Sequence, residues 1–446
     1  MQVKGVALVV GVLGALFANI DLCCAETLGQ AVESSMAWHP EVRAALANWR
    51  AVDATVAQAR AGYFPSVDAS VGQGRERADN PVTRPLGTPP TLTRSEASIG
   101  ASQLLFDTGA TSSDVRRTRA RTESAYAQLA TTAESVAFRT AQAFYEVIRL
   151  RALIALAEQN LSVHERTLDQ VTRRSQAGVG RRSDDRQTAA RLALAQSTLS
   201  QLRGQLLQAE AQYRNQTGHP AQDLAAAEIP FNALPASVQA AIDDAKATHP
   251  AVRSAKLDMN AALGDRDFAR SRYGPRVTLE LAATRNHDLD GVPGLNADTR
   301  AMLVVRQNLF RGGGDRARVR EAEARRDQAG ELLARVQNDL ERDLRIAWEG
   351  LAADRARLPD LQRYAETSAE VVEAYRSQFG IGQRTLLDVL NAENELYSAR
   401  SGFASGEAAV AVDVYRVLAN MGRMLAQLGL RLPGGGGAPD LGGAAQ

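Results

Sequence analysis

The chain carries one long passage twice. His39-Pro40-Glu41-Val42-Arg43-Ala44-Ala45 returns 210 positions later as His249-Pro250-Ala251-Val252-Arg253-Ser254-Ala255. Ala59-Arg60-Ala61-Gly62-Tyr63-Phe64-Pro65-Ser66-Val67 returns at the same offset as Ala269-Arg270-Ser271-Arg272-Tyr273-Gly274-Pro275-Arg276-Val277. Gln103-Leu104-Leu105-Phe106-Asp107-Thr108-Gly109 returns as Gln307-Asn308-Leu309-Phe310-Arg311-Gly312-Gly313, 204 positions on. Three matches in one order, at nearly constant offset, mean a duplicated unit of about 200 residues. The halves are read as 26–230 and 231–430, two repeats of one body rather than independent domains.

Each repeat mixes two periodicities. Val67, Ala69 and Val71 alternate with Ser66, Asp68 and Ser70; Val277, Leu279, Leu281 and Ala283 alternate with Thr278, Glu280, Ala282 and Thr284. Period two over such a run is a half-buried strand. The predicted strands are about 64–77 with 97–106, and 275–285 with 301–310. Turn-rich loops separate each pair, Asn80 to Pro90 in the first and Asn286 to Asn296 in the second. The rest is helical over unusual lengths. Residues 27–62 read as helix, with Pro40 and Pro250 in first turns and His39 and His249 at helix junctions. From about Asp114 to Gln176 and from about Asp315 to Gln378 only Pro359 interrupts, and about 60 residues of helix span roughly 90 Å. Leu192, Ala195, Leu199, Leu202, Leu206, Ala209 and Tyr213 step by three and four. So do Leu332, Val336, Leu340, Leu344, Ala347 and Leu351, and Val410, Val414, Val417, Met421, Met424 and Leu428. All three stripes read as core packing. The Gly-rich stretch 431–446 reads as a disordered tail.

Residues 1–25 read as a secretory signal peptide. Lys4 gives the positive start, the apolar run from Val6 to Ile20 is too short to span a membrane comfortably, and Ala25 closes the cleavage site. The competing reading is a membrane anchor; a lipobox is absent, because Asp21-Leu22 precede the two cysteines. Both cysteines lie in that leader, so the mature chain is expected to lack thiols, disulfides and Cys metal sites. A formal net charge of +1 favours no anionic partner.

Four strands of about ten residues suit a bilayer crossing. Four strands cannot close a barrel in lipid, where an open edge leaves backbone groups unpaired and at least eight strands are needed. Transmembrane strands would therefore oblige the chain to assemble with copies of itself.

At this point the residues resemble a known family. Over residues 26–430 the chain is similar to the TolC family of outer-membrane efflux proteins. The carriers are the two strand-closing motifs ending at Gly109 and at Gly312-Gly313, and the run Phe379-Gly380-Ile381-Gly382-Gln383-Arg384-Thr385-Leu386-Leu387-Asp388-Val389-Leu390-Asn391-Ala392-Glu393. The resemblance implies a mainly α, mixed α+β membrane protein: a homotrimer whose twelve-stranded β-barrel, four strands per chain, sits in outer-membrane lipid and continues into a long periplasmic α-helical barrel. It also implies a periplasmic adaptor and an inner-membrane transporter as partners.

The turn Ser175-Gln176-Ala177-Gly178-Val179-Gly180 echoes Ser377-Gln378-Phe379-Gly380-Ile381-Gly382. In the family such turns form the periplasmic entrance, held shut by polar links between neighbouring helix pairs. The resemblance implies that Gly178, Gly180, Gly380 and Gly382 shape adaptor-contact turns. It makes Arg384 the arginine of those links, Ser183 and Asp184 its partners, and Asp388 a ring carboxylate at the constriction. Guanidinium and carboxylate make directional bonds that can break without unfolding a helix, and a carboxylate ring selects cations. The competing readings are turn caps for Arg384 and Asp184, and a solvated helix face for Asp388. Phe379 and Asn391 depart from the family, standing where relatives can carry tyrosine and a second aspartate, so a looser gate and a weaker cation block are expected.

Other chemistry has no support. Arg311-Gly312-Gly313-Gly314-Asp315 lacks the ending of a phosphate loop. Asp184-Asp185 has no nucleophile beside it, and the histidines lack metal-ligand spacing. No aromatic set accompanies the arginines, which argues against nucleic acid. The expected role is a passive exit duct without cofactor or metal, powered by its partner. Within the family the chain resembles the type I secretion branch, whose cargo is an unfolded polypeptide such as an RTX toxin. The alternatives are a duct for small molecules, and a periplasmic coiled-coil scaffold without a pore.

Overall fold

The computed structural model describes residues 25–178, 181–226 and 228–433. The leader up to residue 24, Gly180, and the tail from residue 434 lie outside the described residues.

His39 divides the first helical stretch in two, because Pro40 has no N–H to continue a helix. Helix α1 runs Leu28–Trp38 and α2 Pro40–Ala61. The His39 Nδ1 accepts the Glu41 N–H at 3.3 Å. The second repeat does the same with α5 (Val238–Thr248), α6 (Pro250–Ser271) and the His249 Nδ1, which accepts from Ala251 at 3.1 Å. Burial holds both imidazoles below their ordinary pKa. Only a neutral ring can accept such a bond.

Four antiparallel strands follow the order β1 (Ser66–Arg77), β2 (Thr91–Phe106), β3 (Arg276–Leu289) and β4 (Val292–Arg306), each paired with the next. Their ends depart from the sequence expectation in three places. Strand β2 begins six residues early, at Thr91, because Arg94 bonds both Glu76 across the hairpin and Glu96 beside it. The expected long loop at 286–296 is strand instead, closed by a tight turn at Asp290-Gly291 with φ of +54° and +79°. Two left-handed residues give the turn whose twist matches the flanking strands. The expected β4 end at Phe310 is also not reached: β4 stops at Arg306, where no neighbouring strand takes up its backbone groups.

Gly109 and Gly313, at φ of +83° and +84°, turn the chain from strand into the long helices α3 (Ala110–Gln176) and α7 (Gly314–Gly380), each 67 residues. At 1.5 Å per residue each is about 100 Å long. Helix α7 continues through Pro359. Helices α4 (Arg182–Thr217) and α8 (Leu386–Asn420) return alongside them, and α9 (Met424–Gln427) is the last helix among the described residues. The core gathers Leu129, Phe144 and Leu150 of α3, Leu344 of α7, Val414 and Leu418 of α8, and Ile242 of α5. Each such buried side chain contributes about 1.5–3 kcal/mol. The α4 and α8 stripes bury most of their members, whereas Leu332 at the head of the α7 stripe is 48% exposed. No helix among the described residues is long and apolar enough to cross a membrane, which says nothing of the strands.

Candidate functional site

The candidate residues fall in two regions, the sheet and the far ends of the long helices. In the sheet every register joins odd residues to odd, up to a bulge at Leu105 in β2 and a shift after His287 beside the β3–β4 turn: Val71 opposite Ala97, Ile99 opposite Ala283, Leu279 opposite Leu303. Opposed residues share a face. One face therefore collects Val67, Ala69, Val71, Ile99, Leu279, Leu281, Leu303 and Val305. The other collects Asp68, Ser70, Ser98, Ser102, Thr278, Glu280, Thr284 and Arg306, joined by Ser70–Ser98 at 2.7 Å and Arg306–Glu280 at 2.7 Å. The apolar face is open: Val71 is 87% exposed and Leu303 64%. An apolar face backed by a polar one is the pattern of a lipid-facing barrel wall around a wet interior.

At the other end α3 joins α4, and α7 joins α8. Gly178 and Gly382 have φ of +78° and +80°, and a Cβ on either would meet nothing within 4 Å. Conformation rather than crowding favours glycine there. Gly380 is the last residue of α7. Phe379 packs on Val171, Leu386 and Leu390, with the Arg174 guanidinium 5.4 Å from its ring centre.

Thr385 and Asp388 form a capping box at the start of α8. Asp388 accepts from the Thr385 N–H at 3.1 Å and hydroxyl at 2.8 Å, and the Asp388 N–H returns to Thr385 Oγ1 at 3.3 Å. The Thr385 bonds, with Arg384 nearby, hold this carboxyl below its ordinary pKa. Arg384 lies back along α7, donating to Gln378 Oε1 at 3.0 Å with its guanidinium 4.2 Å from the Tyr375 ring centre. Ser183 donates to its neighbour Asp184 at 3.2 Å. Among the described residues no ion pair joins Arg384 to Asp184 within the chain. Asn391 does bridge helices, accepting from Arg191 of α4 at 3.2 Å.

The sequence reading missed Arg191 and a half-buried ion pair. Glu393, 6% exposed, accepts from Arg376 at 2.6 Å; burial pushes its carboxyl up and Arg376 opposes that. One signal was available. The offset of 202 between the two turn motifs sets Arg191 over Glu393 and Arg186 over Asp388, base against acid. Among the described residues no group of three or more His, Cys, Asp or Glu could hold a metal.

With this geometry in place, comparison with known proteins is informative. The pattern of the outer membrane efflux protein family matches residues 31–219 and 241–423. The outer membrane efflux protein BepC of Brucella suis biovar 1 is 27% identical over 411 residues, 91% of this chain and 88% of BepC. The proteases secretion protein PrtF of Dickeya chrysanthemi is 27% identical over 270 residues, 59% of this chain and 58% of PrtF. Among solved structures, the outer membrane protein VceC of Vibrio cholerae superposes with a TM-score of 0.74 at 18% identity, covering 91% of this chain and 96% of VceC. That likeness is one of fold.

Proposed function

We infer the working role of this chain from a plain premise: it belongs to the outer membrane efflux protein family. It is an outer-membrane channel protein, with its helical part in the periplasm. Three copies would supply twelve strands, enough to close a barrel around the polar face while the apolar face meets lipid. The observation that carries this reading is the two-faced sheet with free edges on β1 and β4.

The duct is passive, drawing its energy from an inner-membrane ABC transporter coupled through a periplasmic adaptor. The turns at Gly178, Gly180, Gly380 and Gly382 would receive that adaptor. The proposed cargo is an unfolded polypeptide in type I secretion. The protease secretion in PrtF's name supports this; the efflux in BepC's name supports small molecules as the second reading.

The test is single-channel conductance in planar bilayers with the purified oligomer. A small, stable conductance is expected, and a well-folded oligomer that forms no channel would sink the pore. Cargo is decided in the native host: deletion of the gene should remove a polypeptide from the medium. Retained polypeptide export with new sensitivity to dyes would favour the second reading.

A further inference from the structure

The two hairpins obey the duplication residue by residue. Ser66 lies opposite Ser102 in the first and Arg276 opposite Arg306 in the second. Shifting β1 by 210 and β2 by 204 turns the first pairing into the second. The chain also contains one pairing between repeats, β2 with β3, in which Ala101 lies opposite Leu281 and Gly100 opposite Ala282. The same two shifts carry that pairing onto β4 and β1, the free edges.

We propose that successive copies of this chain join in one register, β4 of one copy against β1 of the next, with Val305 opposite Val71, Val304 opposite Gly72 and Arg300 opposite Glu76. This rests on the assembly proposed above and adds the residue pairing that closes it.

Three further observations support the register. It keeps odd residues opposite odd, so the apolar face runs unbroken across the joint; a one-residue slip would turn Val71 toward the polar face. It also explains the short β4. Residues 103–106 of β2 are held by β3 alone, with Leu104 opposite Thr278 and Phe106 opposite Val277. Their repeat mates 307–310 have no such neighbour, and Leu309 and Phe310 are 89% and 84% exposed. In the register these four residues gain Val67, Asp68 and Ala69 of the next copy as neighbours.

The third observation is an exchange of sizes where strand becomes helix. Within the chain Thr108 fills the space beside Gly274, where an added Cβ would lie 2.1 Å from the Thr108 hydroxyl. The repeat mates are Gly312 for Thr108 and Phe64 for Gly274. A Cβ on Gly312 meets nothing within 4 Å, and Phe64 is 69% exposed. The joint between copies thus sets a large side chain against a glycine, where the joint within the chain sets a threonine against one. One such fit occurs at each contact, and it favours this chain's own copies over chains that lack the exchange.

Cysteine pairs read the register directly, in a background with Cys23 and Cys24 replaced by alanine. Neighbouring pairs in an antiparallel ladder alternate in Cα separation and disulfides need close Cβ atoms, so two pairs are made: Gly72→Cys with Val304→Cys, and Val71→Cys with Val305→Cys. At least one is expected to give covalent trimers on a denaturing gel without reductant, collapsing to monomer with it. The displaced pairs, Gly72→Cys with Met302→Cys and Val71→Cys with Leu303→Cys, should stay uncrosslinked. Crosslinking of the displaced pairs in preference, or of none while the native oligomer forms, overturns the register and leaves the assembly standing. A chain that remains monomeric by mass overturns both.

Discussion

Buried in α3, Glu134 accepts the backbone N–H groups of Met424 at 3.1 Å and Leu425 at 3.3 Å. It ties the last described helix to the first repeat. Burial pushes its carboxyl up to about 7, against the pull of those two donors. A carboxyl raised in the fold stabilises in its protonated form. Its contribution is whole below about pH 4.5 and is lost as pH rises through about 7. By pH 8 that loss is about 3 kcal/mol. Thermal unfolding of the native protein should therefore fall between pH 5 and pH 8 more steeply than that of Glu134→Gln. Parallel curves for the two would show that Glu134 does not titrate in this range.

Arg384 is the residue on which the proposed gate turns. Within one chain it meets Gln378 and Tyr375 rather than Asp184, so its link would be to a neighbouring copy. A hydrogen bond to a charged group is worth about 1.5–3 kcal/mol. Losing it in Arg384→Ser should shift the closed–open balance by roughly tenfold or more. Single-channel recordings of the variant beside wild type check this, and equal conductances would remove Arg384 from the gate. Asp388, proposed for the constriction, is already engaged by Thr385. Its repeat mate is Arg186, so a ring of three copies would alternate acid with base and hold cations weakly.

Among the elements, the strands carry the sharpest expectations. Leu279 shares the apolar face with Leu303. Leu279→Arg should cost about 2–4 kcal/mol if that face meets the lipid midplane. The yield of assembled oligomer in outer-membrane fractions measures it, and normal yield would reverse the face. At the β3–β4 turn, a side chain on Gly291 would meet both a φ of +79° and the Thr83 methyl at 2.6 Å. Gly291→Val should lose about 1–3 kcal/mol locally, seen as protease cleavage near residue 290.

The existence and type of these elements were legible because period-two runs and unbroken helical stretches are local signals, and the duplication printed each of them twice. The β3–β4 turn was not. Asn286 to Asn296 has the composition of a loop, yet its pairing is made by backbone groups and set by the handedness of Asp290-Gly291. At the helix ends the residues were legible but their partners were not. The capping box can be written from Thr385 and Asp388 alone, whereas Arg191 with Asn391 and Arg376 with Glu393 depend on how helices stack.

For the whole molecule the long helices decide the shape. Electron micrographs of the purified oligomer should show an elongated particle whose helical part measures about 100 Å. A compact particle would exclude the helical barrel. Helix α7 buries little along its first half, where Ala322 stands nearly alone until Leu340. Helix α3, its repeat mate, is lined through the same stretch by Val115, Tyr126, Leu129 and Val136. The difference is a missing neighbour: α6 packs on α3, and α2 of an adjoining copy would stand in the same place on α7.

The unequal hairpins make the outer rim uneven. The segment 78–90 leans across the neighbouring turn, with Asn80 bonded to the Asp290 carbonyl at 2.8 Å and the Asp290 N–H bonded to Glu76 at 3.0 Å. In a closed ring three such lobes would alternate with three low turns, a castellated crown. An epitope tag spliced into a lobe would be displayed three times on the cell exterior with the wall intact, whereas the same tag at Asp290-Gly291 would pry apart the strands it joins.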